Sequence, residues 1–495
     1  MNTYKRLVAM RAAQRPGQSS ALRNPACAPS LDQLCEHTLV DQELNERLYA
    51  YEQRVRGRFA PILGVLMKVS TFQHEPDFVA QAQRLSMDQL GYLLPEQLLQ
   101  DAWINGLDMR TLHAHCIFQS FKRCIDHVRS DQADWASRMS IDMSFIEGCG
   151  YHTVDISPCA DGRLQGLLPF VLRMSPCEAI SVKAYAGALF DVEADIADWT
   201  HRELERVSGA IASAADRNYL KIAVYHYSSS NPCEQGCAAH GSDDSRATEA
   251  AAARLNELRA AIDNTFGLGA APDTLLIGID TDIDAIRVHL PDAHSVCDPL
   301  RFVESAKLFY QTLGQNQSAS RLAIAQAVAD ADRGHGVRPG IRRLIERLLE
   351  ANFSQIQYVI QHHDGRYADI GHNERFICVG EAMTELQLRN KFYFAHLDTV
   401  EEGAADLDVG IKIFSGLNVS RGLPIPLLVH FHFSARVPGS RERAVLKCYR
   451  VRDAILSRYR MLHEQGLLHC QMAVSDAHWS ERCSLLNDPP SMALH

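Results

Sequence analysis

Cys159-Ala160-Asp161-Gly162-Arg163 places a thiol, a carboxylate and a guanidinium within five residues, and His226 and Cys237 follow downstream. Two thiolates and one imidazole can hold zinc and leave a fourth position open to water. Two thiolates also neutralise the charge of the ion, so a water bound there is a weaker acid than on a three-histidine site. A carboxylate within reach can accept that water's hydrogen bond and fix its lone pair toward a substrate. Asp161 is placed for that role, and Arg163 can grip it bidentately and keep it ionised. These parts point to hydration or hydrolysis rather than to a structural zinc finger. Each residue also has a bland reading. A lone cysteine is usually a small buried residue, a strand histidine is usually a satisfied core group, and a local Asp–Arg pair is worth little. No C-x-x-C finger pair is present, and Cys233 and His240 compete as ligands.

The surrounding elements decide whether these residues can meet. Residues 153–158 (TVDISP) alternate like a strand and deliver Cys159 at its end. Leu220 to Tyr227 is a second strand, with His226 near its end, and Thr274 to Asp280 a third. Between them lies an Ala-rich helix from about Ser245 to Phe266, stopped by Gly267. Another helix begins at Pro339. Alternating strands and helices predict an α/β (α+β) layer fold with a central mixed or parallel sheet. Ligands in such sheets sit beyond the carboxyl ends of strands, where Cys159 and His226 both fall. Upstream, Leu31, Leu34, Leu39, Leu44, Leu48 and Tyr51 read as helix, as does 86–130, with Leu90, Leu98, Leu112, Ile117 and Phe121. An α-helical N-terminal domain follows, ending near 130–145.

A weak internal repeat relates 224–232 (VYHYSSSNP) to 430–438 (HFHFSARVP), each followed by a helix containing Ala and Arg. His432 then corresponds to His226, Arg443 to Cys237 and, more loosely, Cys378 to Cys159. Arginine cannot bind zinc, so the C-terminal part reads as a degenerate copy without a metal. The expected division is a disordered basic arm at 1–30, a helical domain at 31–140, a zinc domain at 141–374 and the degenerate copy at 375–495.

The 495 residues carry a formal net charge of −10, with 46% hydrophobic and 22% charged residues. That is ordinary globular composition, and the acidic balance argues against a nucleic-acid partner. No apolar run is long enough to span a membrane, and no apolar segment follows the basic start as a signal peptide requires. The 14 cysteines are scattered, as expected of reduced thiols with a few metal ligands. Residues 1–30 hold five basic and no acidic residues, among them Lys5, Arg6, Arg11 and Arg15. This is a solvated tail, an arm for an acidic partner or an organelle transit peptide. Asp280, Asp282 and Asp284 look like a metal loop, but without the Gly and Glu of a calcium loop they read as a polar strand end. His362, His363 and His372 are candidate proton carriers with no specific support. A zinc deaminase would pair H-x-E with P-C-x-x-C. His372-Asn373-Glu374 supplies the first, and nothing supplies the second.

The set Cys159-x-Asp161-x-Arg163, His226 and Gly236-Cys237 resembles the β-type carbonic anhydrases, although ten residues rather than two separate His226 from Cys237. With the helical N-terminal region, the degenerate second half, Tyr51–Phe59 (YEQRVRGRF) and Gly236–Ser242 (GCAAHGS), the chain resembles the divergent carboxysome shell (ε class) family. The resemblance implies one zinc per chain on Cys159, His226 and Cys237. It implies interconversion of CO2 and bicarbonate by attack of a hydroxide formed on the metal, with Asp161 orienting it and Arg163 fixing Asp161. It also implies a bacterial carboxysome, at the inner face of its shell or in its lumen, where CO2 is supplied to Rubisco. The N-terminal arm would bind shell proteins or Rubisco. The two related domains would pair like the protomers of a β-type dimer, and a homo-oligomer, a dimer or an assembly of dimers, would build on that. The alternative is a non-catalytic shell or scaffold protein whose zinc is structural.

Overall fold

The leucine periodicity of the N-terminal third resolves into separate helices. In a computed structural model of the chain, the described residues are 37–135, 139–177, 179–208, 217–383, 389–397, 399–477 and 483–486. Helix α1 (Gln42–Phe59) starts at Asp41, whose carboxylate accepts the Leu44 N–H at 2.9 Å. It buries Leu44, Leu48, Tyr51, Val55 and Phe59. Helices α2 (Ile62–Thr71) and α3 (Phe78–Leu90) follow. The helix expected over 86–130 is broken: α3 stops on left-handed Gly91, two short helical turns (Glu96–Gln100 and Ala102–Asn105) intervene, and α4 runs Met109–Trp135. Gly91, Pro95 and Gly106 interrupt an otherwise helical leucine pattern. The basic arm at 1–30 and the predicted helix start at 31–36 lie outside the described residues.

A six-stranded sheet occupies the middle of the chain. Its strands are β1 (Tyr151–Pro158), β2 (Ile180–Val182), β3 (Asn218–Tyr227), β4 (Asp273–Asp280), β5 (Ala285–Pro291) and β6 (Cys297–Glu304), in the order β2-β1-β3-β4-β5-β6. The first four strands are parallel, and β5 and β6 turn back antiparallel. Helices α5 (Val192–Val207), α6 (Asp244–Phe266) and α7 (Pro339–His362) pack around it. The α6 face buries Ala247, Ala251 and Ala252 with Leu255, Leu258 and Ile262, so small side chains let it lie close to β3.

A second sheet is formed by β7 (Phe376–Gly380), β8 (Phe392–His396), β9 (Ile425–Phe433), β10 (Leu468–Asp476) and β11 (Ser484–Leu486), with helices α8 (Val400–Leu417) and α9 (Ser440–Arg458). Its order is β11-β10-β9-β7-β8, with only β11 antiparallel to its neighbour. Read from the opposite edge, β8-β7-β9-β10-β11 repeats β2-β1-β3-β4-β5 in order and direction. The architecture is mixed α/β with a helical N-terminal region. Among the described residues, no helix is long and apolar enough to cross a membrane.

Strands β1 and β3 are buried throughout, apart from Asn218, yet carry charge. Lys221 is fully buried and donates to Asp155 at 2.6 Å and to Ser157 Oγ at 2.8 Å, and it pairs with Asp195 of α5. Such a network ties α5 to the sheet, because losing one partner strands a buried charge at a cost of about 3–5 kcal/mol.

Candidate metal centre

Adjacent parallel strands bring the first two candidate ligands together. Pro158 on β1 is in register with Val224 on β3, and the next residue, Cys159, donates its N–H to the Val224 carbonyl at 3.0 Å. His226 lies two residues further along β3, at the same carboxyl end of the strands. Cys237 arrives on the loop between β3 and α6. That loop is held from below: Asp282 accepts the Ser228 hydroxyl at 3.0 Å and the Ser230 N–H at 2.7 Å. The Asp280–Asp284 segment is thus a polar clamp, and none of its residues joins a metal-ligating group among the described residues. Gly236 lets the loop close, since a Cβ there would meet the Ser242 backbone at 2.9 Å.

One ligand atom each from Cys159, His226 and Cys237 lies within 4.8 Å of the others, and all three residues are buried. The sulfurs are 3.8 Å apart and both cysteines are free. The contact between them pushes the Cys159 thiol well above the usual range and lowers that of Cys237. His226 is fully buried, and neither ring nitrogen has a hydrogen-bond partner. Leaving such groups unsatisfied costs about 1–3 kcal/mol each, a cost that a metal ion bound between the three side chains would remove at one ring nitrogen. Soft sulfur and imidazole donors with a free fourth direction suit zinc. The competing ligands stay outside: Cys233 is exposed, and the His240 ring faces the Gly187 carbonyl at 3.3 Å.

Asp161 lies beside the cluster, its Oδ2 3.6 Å from His226 Nε2. Arg163 grips it through Nε–H to Oδ1 at 2.9 Å and Nη2–H to Oδ2 at 2.8 Å. Both side chains are almost wholly buried. Burial alone would raise the Asp161 carboxyl, but the Arg163 guanidinium and His226 hold it well below the usual carboxylate range. Arg163 Nη1 is itself anchored by the carbonyls of Gln235 at 2.6 Å and Ile370 at 2.7 Å. This pair is therefore a fixed, desolvated unit and not a surface salt bridge.

Two neighbours, which the sequence offers only as an H-x-E match and a candidate proton carrier, stand against the Asp–Arg pair. His372 Nδ1 lies 3.0 Å from Glu374 Oε1 and 3.9 Å from Asp161 Oδ2, with a quarter of its side chain exposed. Burial would lower its pKa, but the Asp161 and Glu374 carboxylates raise it to about 9. Glu374 also accepts the Gly162 N–H at 3.2 Å. A Cβ on Gly162 would meet Glu374 Cγ at 2.5 Å and the Phe392 carbonyl at 2.8 Å, so glycine is required between Asp161 and Arg163. The second sheet touches the motif directly: Asn390 and Phe394 donate their N–H groups to the carbonyls of Gly162 at 2.7 Å and Ala160 at 3.1 Å. His362 and His363 lie elsewhere, against Tyr49 and Glu52 of α1.

The second sheet corrects two pairings expected from the repeat. Glu381 donates its N–H to the His430 carbonyl at 2.9 Å, the bond that Cys159 makes to Val224. Glu381, not Cys378, therefore stands where Cys159 stands, and Cys378 is buried within β7. His432 keeps the place of His226, two residues beyond the shared bond. Arg443 is no counterpart of Cys237. Helix α6 starts at Asp244, 18 residues after His226, whereas α9 starts at Ser440, only 8 after His432. The loop that carries Cys237 has no equivalent there.

A mixed α/β protein with a buried Cys–His–Cys centre at the carboxyl ends of parallel strands, backed by an Asp–Arg pair, is the class these features define. Family models for the N-terminal, catalytic and C-terminal parts of Carboxysome Shell Carbonic Anhydrase match residues 37–129, 141–372 and 373–489. The carboxysome shell carbonic anhydrase of Halothiobacillus neapolitanus is 45% identical over 467 residues, covering 91% of this chain and 90% of the relative. That of Prochlorococcus marinus (strain MIT 9313) is 46% identical over 446 residues, covering 89% and 86%. That of Hydrogenovibrio crunogenus is 40% identical over 452 residues, covering 89% and 84%. The chain belongs to the carboxysome shell carbonic anhydrase family.

Proposed function

We propose that this enzyme interconverts CO2 and bicarbonate at one zinc ion held by Cys159, His226 and Cys237. The observation that carries this reading is the fully buried, unpartnered His226 imidazole between two thiols, beside an ionised carboxylate. Zinc bound there would supply a Lewis-acid position that acidifies water toward neutral pH. Asp161, kept ionised by Arg163, can only accept a hydrogen bond. An attacking oxygen that donates a hydrogen bond to Asp161 Oδ2 must turn a lone pair elsewhere, toward CO2. Arg163 occupies both carboxylate oxygens and so fixes the direction of that acceptance. His372, protonated at neutral pH, adds a second positive charge that keeps Asp161 ionised. Stopped-flow CO2 hydration by the reduced, zinc-supplied protein tests the reading. Fast turnover abolished by chelation is expected, and no turnover in a folded, zinc-loaded sample would sink it.

The chain divides, in this reading, into a basic arm (1–30), a helical domain (31–140), the zinc domain (141–374) and a degenerate C-terminal copy without metal (375–495). Within a carboxysome the useful direction is bicarbonate to CO2, feeding Rubisco. The arm would tether the enzyme to shell proteins or to Rubisco through charge. Deleting residues 1–30 should release it from purified carboxysomes, and undiminished retention would refute the tether. A purely structural zinc site is disfavoured because the ligating group has three members and the further donor beside it, the Asp161 carboxylate, is held by Arg163.

A further inference from the structure

The turn that presses on Cys159 is held from the other half of the molecule. Residues 185–189 run beside the cysteine, with Tyr185 bridged to Cys159 and the Ala160 N–H donated to the Tyr185 carbonyl at 3.0 Å. Three successive amides in this turn have three different acceptors. Ala188 donates back to the Tyr185 carbonyl at 3.0 Å, Gly187 donates to Cys159 Sγ at 3.3 Å, and Ala186 donates to Asp406 Oδ1 at 2.8 Å. Asp406 lies on α8, which packs against the second sheet. Its own carbonyl accepts the Tyr393 hydroxyl of β8 at 2.8 Å, which fixes the helical turn that carries it. Close by, the His396 N–H reaches the Ala184 carbonyl at 2.9 Å.

We propose that Asp406 is a positioning residue of the metal centre: by accepting the Ala186 N–H, it sets the next peptide so that Gly187 N–H points at Cys159 Sγ. The proposal rests on the zinc reading above. An N–H donated to a thiolate draws charge from the sulfur and fixes the direction of its remaining lone pairs. Outer partners of this kind carry about 10- to 100-fold in metal affinity or activity. The half without a metal thus contributes to the metal site of the other. Burial pushes the Asp406 carboxyl up to about 6, and the Ala186 N–H pulls it back, so the two groups are electrostatically joined. The role asks only for an acceptor, so an amide oxygen at the same position can fill it.

The test uses the full-length protein. Zinc retention is measured in competition with a chelator, and the thiolate-to-cobalt absorption band is recorded after Co(II) substitution. Asp406→Ala removes the acceptor, Ala186→Pro removes the donor, and Asp406→Asn keeps an oxygen acceptor. Tyr185 is extended (φ −135°, ψ 148°), which a following proline accepts. Asp406→Ala and Ala186→Pro should each lose zinc to the chelator at about 10-fold lower chelator concentration and shift the cobalt band. The double variant should be no worse than either, and Asp406→Asn should match wild type. Folded single variants with wild-type retention and an unchanged band would overturn the proposal, as would Asp406→Asn behaving like Asp406→Ala. If Asp406→Ala does not fold, Ala186→Pro decides. A wild-type protein that binds no zinc would overturn the metal reading and the proposal with it. A zinc-holding wild type with indifferent variants overturns the proposal alone.

Discussion

The two sheets share strand order, strand direction and a histidine at the same register, yet among the described residues only the first gathers that histidine into a candidate metal-ligating group. In the first, His226 has no hydrogen-bond partner and faces two thiols. In the second, His432 is satisfied: Nε2 meets the Ala382 carbonyl at 2.8 Å and Nδ1 the Ser475 hydroxyl at 3.0 Å. Glu381 replaces the first thiol, and its carboxylate accepts the His432 backbone N–H at 2.7 Å. The loop that would bring the second thiol is shorter. A shared scaffold therefore does not specify a site. The unsatisfied imidazole and the long loop mark the candidate site, and among the described residues the matching histidine of the second sheet is saturated.

The largest effect should come from removing a thiolate. Cys159→Ser or Cys237→Ser leaves two ligands and a hard, weakly acidic hydroxyl, so zinc content should fall to background and CO2 hydration with it. Elemental analysis and stopped-flow assays check both. If either variant keeps zinc and activity, the first sheet is no more a metal site than the second. Asp161→Asn should come next. The Asn amide would turn N–H groups toward Arg163 or toward the attacking oxygen, so the orienting acceptor is lost while the ligands remain. Zinc content should hold and turnover fall by about 10²- to 10³-fold. Full turnover would remove Asp161 from the mechanism.

The frame of the first sheet should fail before its chemistry if its buried charge is broken. Lys221→Met leaves Asp155 and Asp195 facing each other without their fully buried cation. A loss of about 3–5 kcal/mol in denaturant unfolding is expected. A smaller loss would mean that Lys183, 3.7 Å from Asp195, substitutes for it.

The second sheet should show the sharper acid response. His430 is fully buried, and burial lowers its pKa to about 3, with His432 adding to the shift. Its ring is held neutral between Ser475 Oγ at 2.7 Å and the Glu381 carbonyl at 2.9 Å. A histidine lowered in the folded state gives stability that is whole above its unfolded pKa, near 6.5. As pH falls from there toward 3, the unfolded chain takes up a proton that the native one refuses. The loss reaches at most a few kcal/mol. His430→Gln should move the acid-unfolding midpoint downward, as followed by circular dichroism, and an unmoved midpoint would place acid sensitivity elsewhere.

What is legible in the chain is local. The alternation of 153–158 and 220–227 suffices to place Cys159 and His226 at strand ends, and the small residues around Cys237 mark a loop. The antiparallel β5 and β6 are hidden behind the Asp-rich segment that precedes them. Glu374 and His372 enter the site through tertiary packing more than 200 residues from Asp161, which no periodicity encodes. The repeat motif finds His432 because the register is rigid there. It fails at Arg443 because counting residues assumes equal loops, and at Cys378 because residue type is a poorer guide than a backbone hydrogen bond.

The smallest expected effect is also the strictest test of the comparison. Glu381→Cys puts a thiol at the register position of Cys159 and leaves His432 in the place of His226. If scaffold and ligand identity made the site, this half would begin to bind metal. Both His432 ring nitrogens are already committed, and no loop delivers a second thiolate. Two donors, one of them hydrogen-bonded to Ala382 and Ser475, fall short of the three that a catalytic zinc site uses. The variant should therefore still bind one zinc per chain by elemental analysis, with CO2 hydration unchanged. A second equivalent of zinc would mean that the loop is dispensable and that the two halves differ by a single side chain.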